Sequence, residues 1–473
     1  MIKKFLKKKN YTNTDLSKEL LNSVFNSSKI EEIFNDTINL DEVDKEGETY
    51  LHLCAKNGYL ESAKWLLDKG VNIEAENKEK NTPLFYAALS DNNALTKFLI
   101  SEGANVDHVN KHKRTALQEA LIAGKRTINI LFEHTQNLNN VDIYGNNLIF
   151  DAIANGNTEL IEKVINTKSI DINKINNEGN TVLHKDAVLK NSDLAIRILE
   201  KGADPTILDK NGKNFLFYAV SRGIENENIV DKAVELGCDL NSRCSNKKTI
   251  LMQSVENYLK LGPNEKEMKE SHIKMIKKLI KEGIQIDATD NNDETVLFDI
   301  VRNGNLELLA LFKKYNSLHL NDQNIFGDTI LTIATLKGIG SIKLIKDFLQ
   351  NGADVNLPDK KGSTVIEKLI DVILHYHNRK KIDEHILEQI SNTGEYIDVL
   401  KFIFENSKVD LKKLNSKGQP LFFDSIVFFN YALFKLLRSF GININQESFL
   451  QFQTVPNAKE VKNGLDYHHQ KKK

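Results

Sequence analysis

The sequence predicts an all-α solenoid in which helix–turn–helix copies stack side by side and are joined by β-hairpin loops. Three observations carry that prediction. A threonine-centred opening recurs at a period near 33 residues, small residues recur inside each copy where two helices must approach, and a glycine recurs where each second helix must end. Repetition also accounts for the length, since 473 residues would otherwise require about three domains at roughly 150 residues each.

The opening reads Gly47-Glu-Thr-Tyr-Leu-His-Leu-Cys-Ala55 in one copy and Asn81-Thr-Pro-Leu-Phe-Tyr-Ala-Ala88 in the next. Residues at the threonine position are Thr49, Thr82, Thr115, Asn147, Thr181, Asn214, Thr249, Thr295, Thr329, Thr364 and Pro420. Eight of the ten intervals lie within two residues of 33, and the other two, 46 and 56, mark insertions. Most copies close on a Gly-Ala-Asp-Val-Asn-like segment, as at Gly103-Ala-Asn-Val-Asp107 and Gly352-Ala-Asp-Val-Asn356. The period, the T-P-L-H-x-A-like opening and this ending together resemble the ankyrin repeat, in eleven copies from Asp44 to Asn445. The resemblance implies an ankyrin-repeat solenoid whose partners lie along the hairpin tips and the exposed face of the first helices.

Taken in order, residues 1–14 form a basic arm in which Lys3, Lys4, Lys7, Lys8 and Lys9 alternate with Ile2, Phe5 and Leu6. A single turn of apolar face binds lipid weakly, so the arm reads as solvated or packed on the cap. Residues 15–43 read as an N-terminal cap or degenerate copy, with Leu16, Leu20, Val24 and Phe25 on one stripe and a Ser28/Glu31 capping box. Residues 44–445 are the array. Within it, Thr82 is placed to cap a first helix, Pro83 suits the next position, Ala87 and Ala88 allow close approach, and Gly103 ends the second helix. One extra residue near Asp186 disturbs the pattern locally. The insertions fall at 260–272, a solvated lengthening of a helix pair, and at 372–396, with an amphipathic run Ile382, Ile386, Leu387 and Ile390. Residues 446–473 read as a C-terminal cap and tail, because one copy cannot bury its apolar face alone and both ends of a stack need covering.

Composition removes several function classes. Lys plus Arg number 64 and Asp plus Glu 65, a formal charge of −1, so no global field favours nucleic acid. Every apolar run is broken before the roughly 18 residues a membrane span needs, and no apolar segment follows the N-terminal lysines as in a signal peptide. Three cysteines cannot build a disulfide framework, which points to a reducing, cytoplasmic setting, or to delivery into a host cell without a cleaved signal. His375, His377 and His385 near Asp371 lack a metal-ligand spacing and read as surface histidines. Gly338-Ile-Gly340-Ser-Ile-Lys343 falls where other copies turn between helices and reads as that turn. With neither catalytic motif nor room outside the array, the chain is expected to be a monomeric, cofactor-free binding protein and not an enzyme.

Surface positions narrow the binding reading. Tips such as Lys45-Glu46, Lys78-Glu79, Asn177-Glu178, Asn291-Asn292 and Lys360-Lys361 are polar, whereas Ile143-Tyr144 and Ile325-Phe326 are not. Leu89 and Ile122 lie at matching places on adjacent first helices, with Tyr86 one turn before Leu89. These seven residues are the candidate contacts for a protein partner. Two readings stand at this stage: anchors ringed by polar neighbours, or side chains folded back on adjacent hairpins. The roles that fit are a scaffold or adaptor, an inhibitor or regulator of a neighbouring enzyme, or an effector delivered to a host cell.

Overall fold

The computed structural model describes residues 40, 42–315, 318–376, 396–410 and 431–441. Two compact units divide the chain: Met1–Ala219 with Glu225–Cys238, and Val220–Ile224 with Asp239–Lys473. The arm and cap before residue 40, His377, His385, most of the second insertion, the Pro420 copy opening and the 446–473 tail lie outside the described residues.

Helix pairs repeat through the first unit: α1 (Tyr50–Asn57) with α2 (Leu60–Asp68), α3 (Pro83–Leu89) with α4 (Asn93–Ser101), α5 (Ala116–Ile122) with α6 (Ile128–His134), and α7 (Leu148–Asn155) with α8 (Thr158–Ile165). The next first helix is broken into a 3-10 turn (Val182–His184) and α9 (Asp186–Leu189), followed by α10 (Ser192–Glu200), then α11 (Phe215–Ala219) and α12 (Glu227–Glu235). The break coincides with the extra residue foreseen near Asp186. Lys185 there takes an extended ψ of 133°. In the second unit follow α13 (Ile250–Leu259), α14 (Lys266–Lys281), α15 (Val296–Arg302), α16 (Leu306–Tyr315), α17 (Ile330–Leu336), α18 (Ile342–Gln350), α19 (Val365–Tyr376), α20 (Tyr396–Asn406) and α21 (Tyr431–Ser439).

Opening threonines start the first helices, several of them through a reciprocal cap with the residue three places on. His52 Nδ1 accepts the Thr49 N–H at 3.1 Å, which leaves the proton on Nε2 to donate to the Asn81 carbonyl of the next copy at 2.9 Å. Gln118 and Glu367 close the same box with Thr115 and Thr364. Thr82 differs from expectation: it makes no side-chain cap, and the Phe85 N–H goes to the Thr82 carbonyl at 3.0 Å instead, although Thr249 caps the N–H of an equally apolar Met252 at 3.3 Å. Ala55, Ala88, Ala120 and Ala152 are fully buried, so α1, α3, α5 and α7 pack backbone to backbone in sequence. Leu66, Leu95, Leu99 and Leu121 fill the same core, where truncating one to alanine costs about 2–5 kcal/mol.

Hairpins rest on one recurring device. A buried Asp or Asn accepts the N–H groups two and four residues on; Asn77 does so from Glu79 and Asn81, Asp142 from Tyr144 and Asn146, Asn324 from Phe326 and Asp328. The residue after it donates to the preceding tip: Lys78 N–H to Glu46 at 2.9 Å, Ile143 to His112 at 3.1 Å, Asn177 to Tyr144 at 2.9 Å, Lys360 to Phe326 at 3.2 Å. At most layers this single bond takes the place of a sheet. Among the described residues no strand forms, only an isolated Arg243–Thr249 bridge, so the hairpins are turns joined into a ladder. The third residue after the Asp or Asn is left-handed, and at Gly327 a Cβ would lie 2.5 Å from the Lys360 nitrogen.

Asparagine amides staple the other end of each loop. Asn139 spans Ser169 O and Asp171 N, Asn173 spans Gly202 O and Asp204 N, and Asn321 spans Gly352 O and Asp354 N. Asn356 makes the same staple to Lys408 O and Asp410 N, across 52 and 54 residues instead of about 30. Stacking therefore continues from α19 to α20 whatever lies between them, and both helices pack together.

Candidate functional site

Five of the seven candidate residues fall in the first unit. Ile143 and Tyr144 stand at a hairpin tip whose backbone is fully committed: Asp142 Oδ1 holds the Tyr144 N–H at 2.9 Å, Asp142 Oδ2 takes Arg114 Nη2 at 3.1 Å, and ladder bonds run to the tips on both sides. Their side chains are not folded away, since Ile143 is 41% and Tyr144 58% exposed. Ile122, the last residue of α5, is 44% exposed, and Leu89, the last of α3, is half-buried. Because α3, α5 and α7 pack in sequence, Leu89, Ile122 and exposed Ala154 make a row across three copies.

Tyr86 is more constrained than the others. Its hydroxyl donates to Glu48 Oε1 at 2.5 Å and accepts from Asn77 Nδ2 at 3.0 Å, while Lys56 Nζ lies 5.1 Å from the ring centroid. Burial, then the Glu48 hydrogen bond, push its hydroxyl well above the usual tyrosine range. The residue pins a hairpin to two first helices and leaves a half-exposed ring.

In the second unit Ile325 is half-buried and Phe326 is 42% exposed, at a tip bonded to Asn292 O through the Ile325 N–H at 2.9 Å. This pair stands between the Asn291-Asn292 and Lys360-Lys361 tips, without a second apolar tip beside it.

Beneath the Ile143–Tyr144 tip lies a buried polar network. Gln118 donates to Asp151 Oδ2 at 3.0 Å and accepts from Asn140 at 2.8 Å and from the Thr115 N–H at 3.2 Å. Burial raises the Asp151 carboxyl to about 7, against the lowering effect of the Gln118 bond. His52 and His184 are held below the ordinary histidine value by burial, as neutral capping groups.

Several exposed apolar residues escaped the sequence reading, among them Val43, 52% exposed before Asp44. Ile175 and Leu208, 48% and 54% exposed, each precede the buried Asn or Asp of the next two hairpins, Asn176 and Asp209. Aligning each copy on that Asn or Asp, instead of on the tip, would have found them.

For catalysis or metal binding the described residues offer little. All three cysteines are buried and free, and Cys238 donates to the Pro205 carbonyl at 3.1 Å. Among the described residues no three His, Cys, Asp or Glu side chains converge on a metal position, and no helix is long and apolar enough to cross a membrane. Gly338 is left-handed and precedes a short 3-10 turn (Ile339–Ser341), as an inter-helix turn requires.

A family model for ankyrin repeats matches residues 8–77, 51–142 and 267–359. An ankyrin repeat protein of Rickettsia bellii (strain RML369-C) is 31% identical over 130 residues, covering 26% of this chain and 74% of its own. Rabankyrin-5 of Homo sapiens is 27% identical over 262 residues, covering 50% of this chain but only 22% of that larger protein. Among solved structures, the ankyrin repeat domain of Bcl-3, a member of the IkappaB protein family, covers 44% of this chain and 95% of its own at 21% identity and a TM-score of 0.39. Ankyrin repeats are in general protein–protein interaction modules. With its period, capped first helices, hairpin ladder and curated relative all in agreement, the chain belongs to the ankyrin repeat family.

Proposed function

We propose that the protein is an interaction scaffold or adaptor that binds a protein partner along the hairpin tips and adjoining first helices of its first unit. The observation that carries this reading is the Ile143–Tyr144 tip, where large apolar side chains remain exposed on a backbone already fixed by hydrogen bonds. Holding such groups rigidly in water gives the isolated chain nothing, whereas a rigid anchor loses little entropy on binding. Leu89 and Ile122 extend the contact, and Ile325 with Phe326 form a second, smaller one. The proposal assigns no catalysis to the chain and sets it as a monomer in a reducing, cytoplasmic environment, the setting its free thiols suit.

The test begins with a partner captured on the full chain from its native cell and then purified. Tyr144→Ala is expected to weaken that partner's binding by about 2 kcal/mol or more with little change in thermal stability, and Lys360→Ala to do little. If Tyr144→Ala binds normally, or loses stability in place of affinity, the residue is a packing element and the contact belongs at Ile325 and Phe326.

A further inference from the structure

The near-neutral charge of the chain conceals a division between the second helices of its two units. Helices α14, α16 and α18 of the second unit carry ten lysines against four acidic residues, whereas α8, α10 and α12 of the first carry seven acidic residues against three cations. From that division we infer that the outer face of α14, α16 and α18 docks on an anionic phospholipid bilayer, separately from whatever the hairpin tips of the first unit bind.

Backbone geometry puts the lysines in register. The Ile284 N–H donates to Leu279 O at 3.2 Å and the Ala353 N–H to Phe348 O at 3.0 Å, so Leu279 and Phe348, both fully buried, hold the same place in α14 and α18. Five residues before, two before and two after that place stand Lys274, Lys277 and Lys281 in α14 and Lys343, Lys346 and Gln350 in α18, all exposed. The i, i+3, i+7 spacing keeps each set on one side of its helix, away from the buried Met275, Ile276 and Leu279. Between them, Lys313 Nζ pairs with Asp347 Oδ1 at 2.5 Å and seats α16 beside α18. In α10 and α12 the same bond runs from Ala203 to Ile198 and from Cys238 to Ala233, and the matching positions hold Asp193, Ile196 and Glu200, then Asn228, Asp231 and Glu235. An anionic surface repels those helices and attracts α14 and α18.

Lys277, Lys281, Lys314, Lys343 and Lys346 make no ion pair with another described residue, while Lys274 is matched by Glu270 at 2.8 Å. Together the lysines cover about 10 Å along α14 and about 20 Å across three stacked layers. With a Debye length of about 10 Å, neighbouring lysines attract one charged surface jointly. A bilayer suits them better than a nucleic acid. Glu270 lies one turn before Lys274, and Glu307 takes in α16 the place of Lys274, so fixed phosphates would have to meet these carboxylates as well. Mobile headgroups gather under the lysines alone. The three helices hold no arginine to fork a phosphate, and lysine acts as a point charge on a long stem. Met268 and Leu306, each 48% exposed at the starts of α14 and α16, are side chains that a membrane interface takes up.

The experiment sediments the full-length chain with vesicles of phosphatidylcholine alone, or with about 30% phosphatidylserine, in about 0.05 M salt. A fluorescein-labelled DNA duplex is titrated in parallel. The expected result is binding to the phosphatidylserine vesicles only, reversed at about 0.5 M salt. Lys277→Glu/Lys281→Glu/Lys346→Glu should bind these vesicles at least about tenfold more weakly with an unchanged circular dichroism spectrum. Should that variant lose helix, glutamine at the same three positions removes the charge without reversing it and is expected to weaken binding several-fold. Lys78→Glu/Lys80→Glu/Lys113→Glu, on tips of the first unit, should bind as the parent does. Failure to bind the phosphatidylserine vesicles, or equal binding to neutral ones, overturns the inference. So does vesicle binding that survives the changes on α14 and α18, or that is lost with the tip lysines or with Lys3, Lys4, Lys7, Lys8 and Lys9 changed to glutamate. A duplex held through Lys277, Lys281 and Lys346 more tightly than the vesicles overturns it in favour of nucleic acid.

Discussion

At the scale of single residues, the buried carboxyl of Asp151 is the group most at odds with its surroundings. It is 5% exposed, takes one hydrogen bond from Gln118, and faces Asp142, Arg114 and Glu119 across the network. Its folded carboxyl keeps a proton up to about pH 7, while the unfolded chain releases it near pH 4. Folding therefore takes up a proton between those values, so this group's contribution to stability falls as pH rises through that window and is level above it. Asp151→Asn keeps an acceptor for Gln118 and removes the titration. The variant is expected to be more stable than the parent at pH 8, on the order of 2–4 kcal/mol, with the difference closing as the pH approaches 4. Urea unfolding of both proteins at the two pH values measures it; a variant less stable at pH 8 would show that an ionised Asp151 holds the network together. His52 and His184 act with the opposite sign. Held neutral by burial, they destabilise the fold as pH drops through the ordinary histidine range, where the unfolded chain takes up protons first.

At the scale of the element, the hairpin is where the repeats are most alike and where one copy departs. Cys244 occupies the place of the buried Asp or Asn: its N–H still bonds Lys248 O at 3.1 Å and its carbonyl accepts from Lys247 at 2.8 Å. Its thiol donates to Asn246 Oδ1 at 2.7 Å, that same oxygen takes the Lys248 N–H at 3.3 Å, and the Asn246 N–H loses the acceptor that Asp142, Asp209 and Asp290 supply to the matching N–H elsewhere. Restoring it by Cys244→Asp is expected to stabilise the second unit by about 1 kcal/mol, read as a higher urea midpoint for that unit. A lower midpoint would mean that thiol packing and the Asn246 side-chain contacts outweigh the hydrogen bond gained by the Asn246 N–H. The comparison also indicates what the sequence could disclose. The threonine marker, the alanine contacts and the closing glycines follow from local steric rules, so the helix pairs were legible. The Thr82 cap was misjudged because a threonine at the opening does not fix where its hydroxyl points: Thr249 caps the Met252 N–H, whereas Thr82 leaves the Phe85 N–H to its carbonyl. Ile175 and Leu208 lie outside the tip positions and come into register only when the copies are aligned on the buried Asn or Asp.

At the scale of the whole chain, function and architecture meet in the division into two compact units. The first ends with α12, which packs on α10, and with Cys238, whose thiol donates to the Pro205 carbonyl of its own unit. In a repeat array each layer is stabilised by its nearest neighbours, so cutting between layers removes one interface and leaves the rest. A fragment of residues 1–238 retains six helix pairs with their ladder and staples, and it contains Leu89, Ile122, Ile143, Tyr144, Ile175 and Leu208. It is expected to be helical by circular dichroism and to unfold in a sigmoidal urea transition. If the first unit holds the partner surface, the fragment should bind the captured partner within about threefold of the full chain, a difference under 1 kcal/mol. A folded fragment that does not bind would move the surface to the second unit and its Ile325–Phe326 tip. An unfolded one would mean that the stack draws its stability from further along the chain than nearest neighbours.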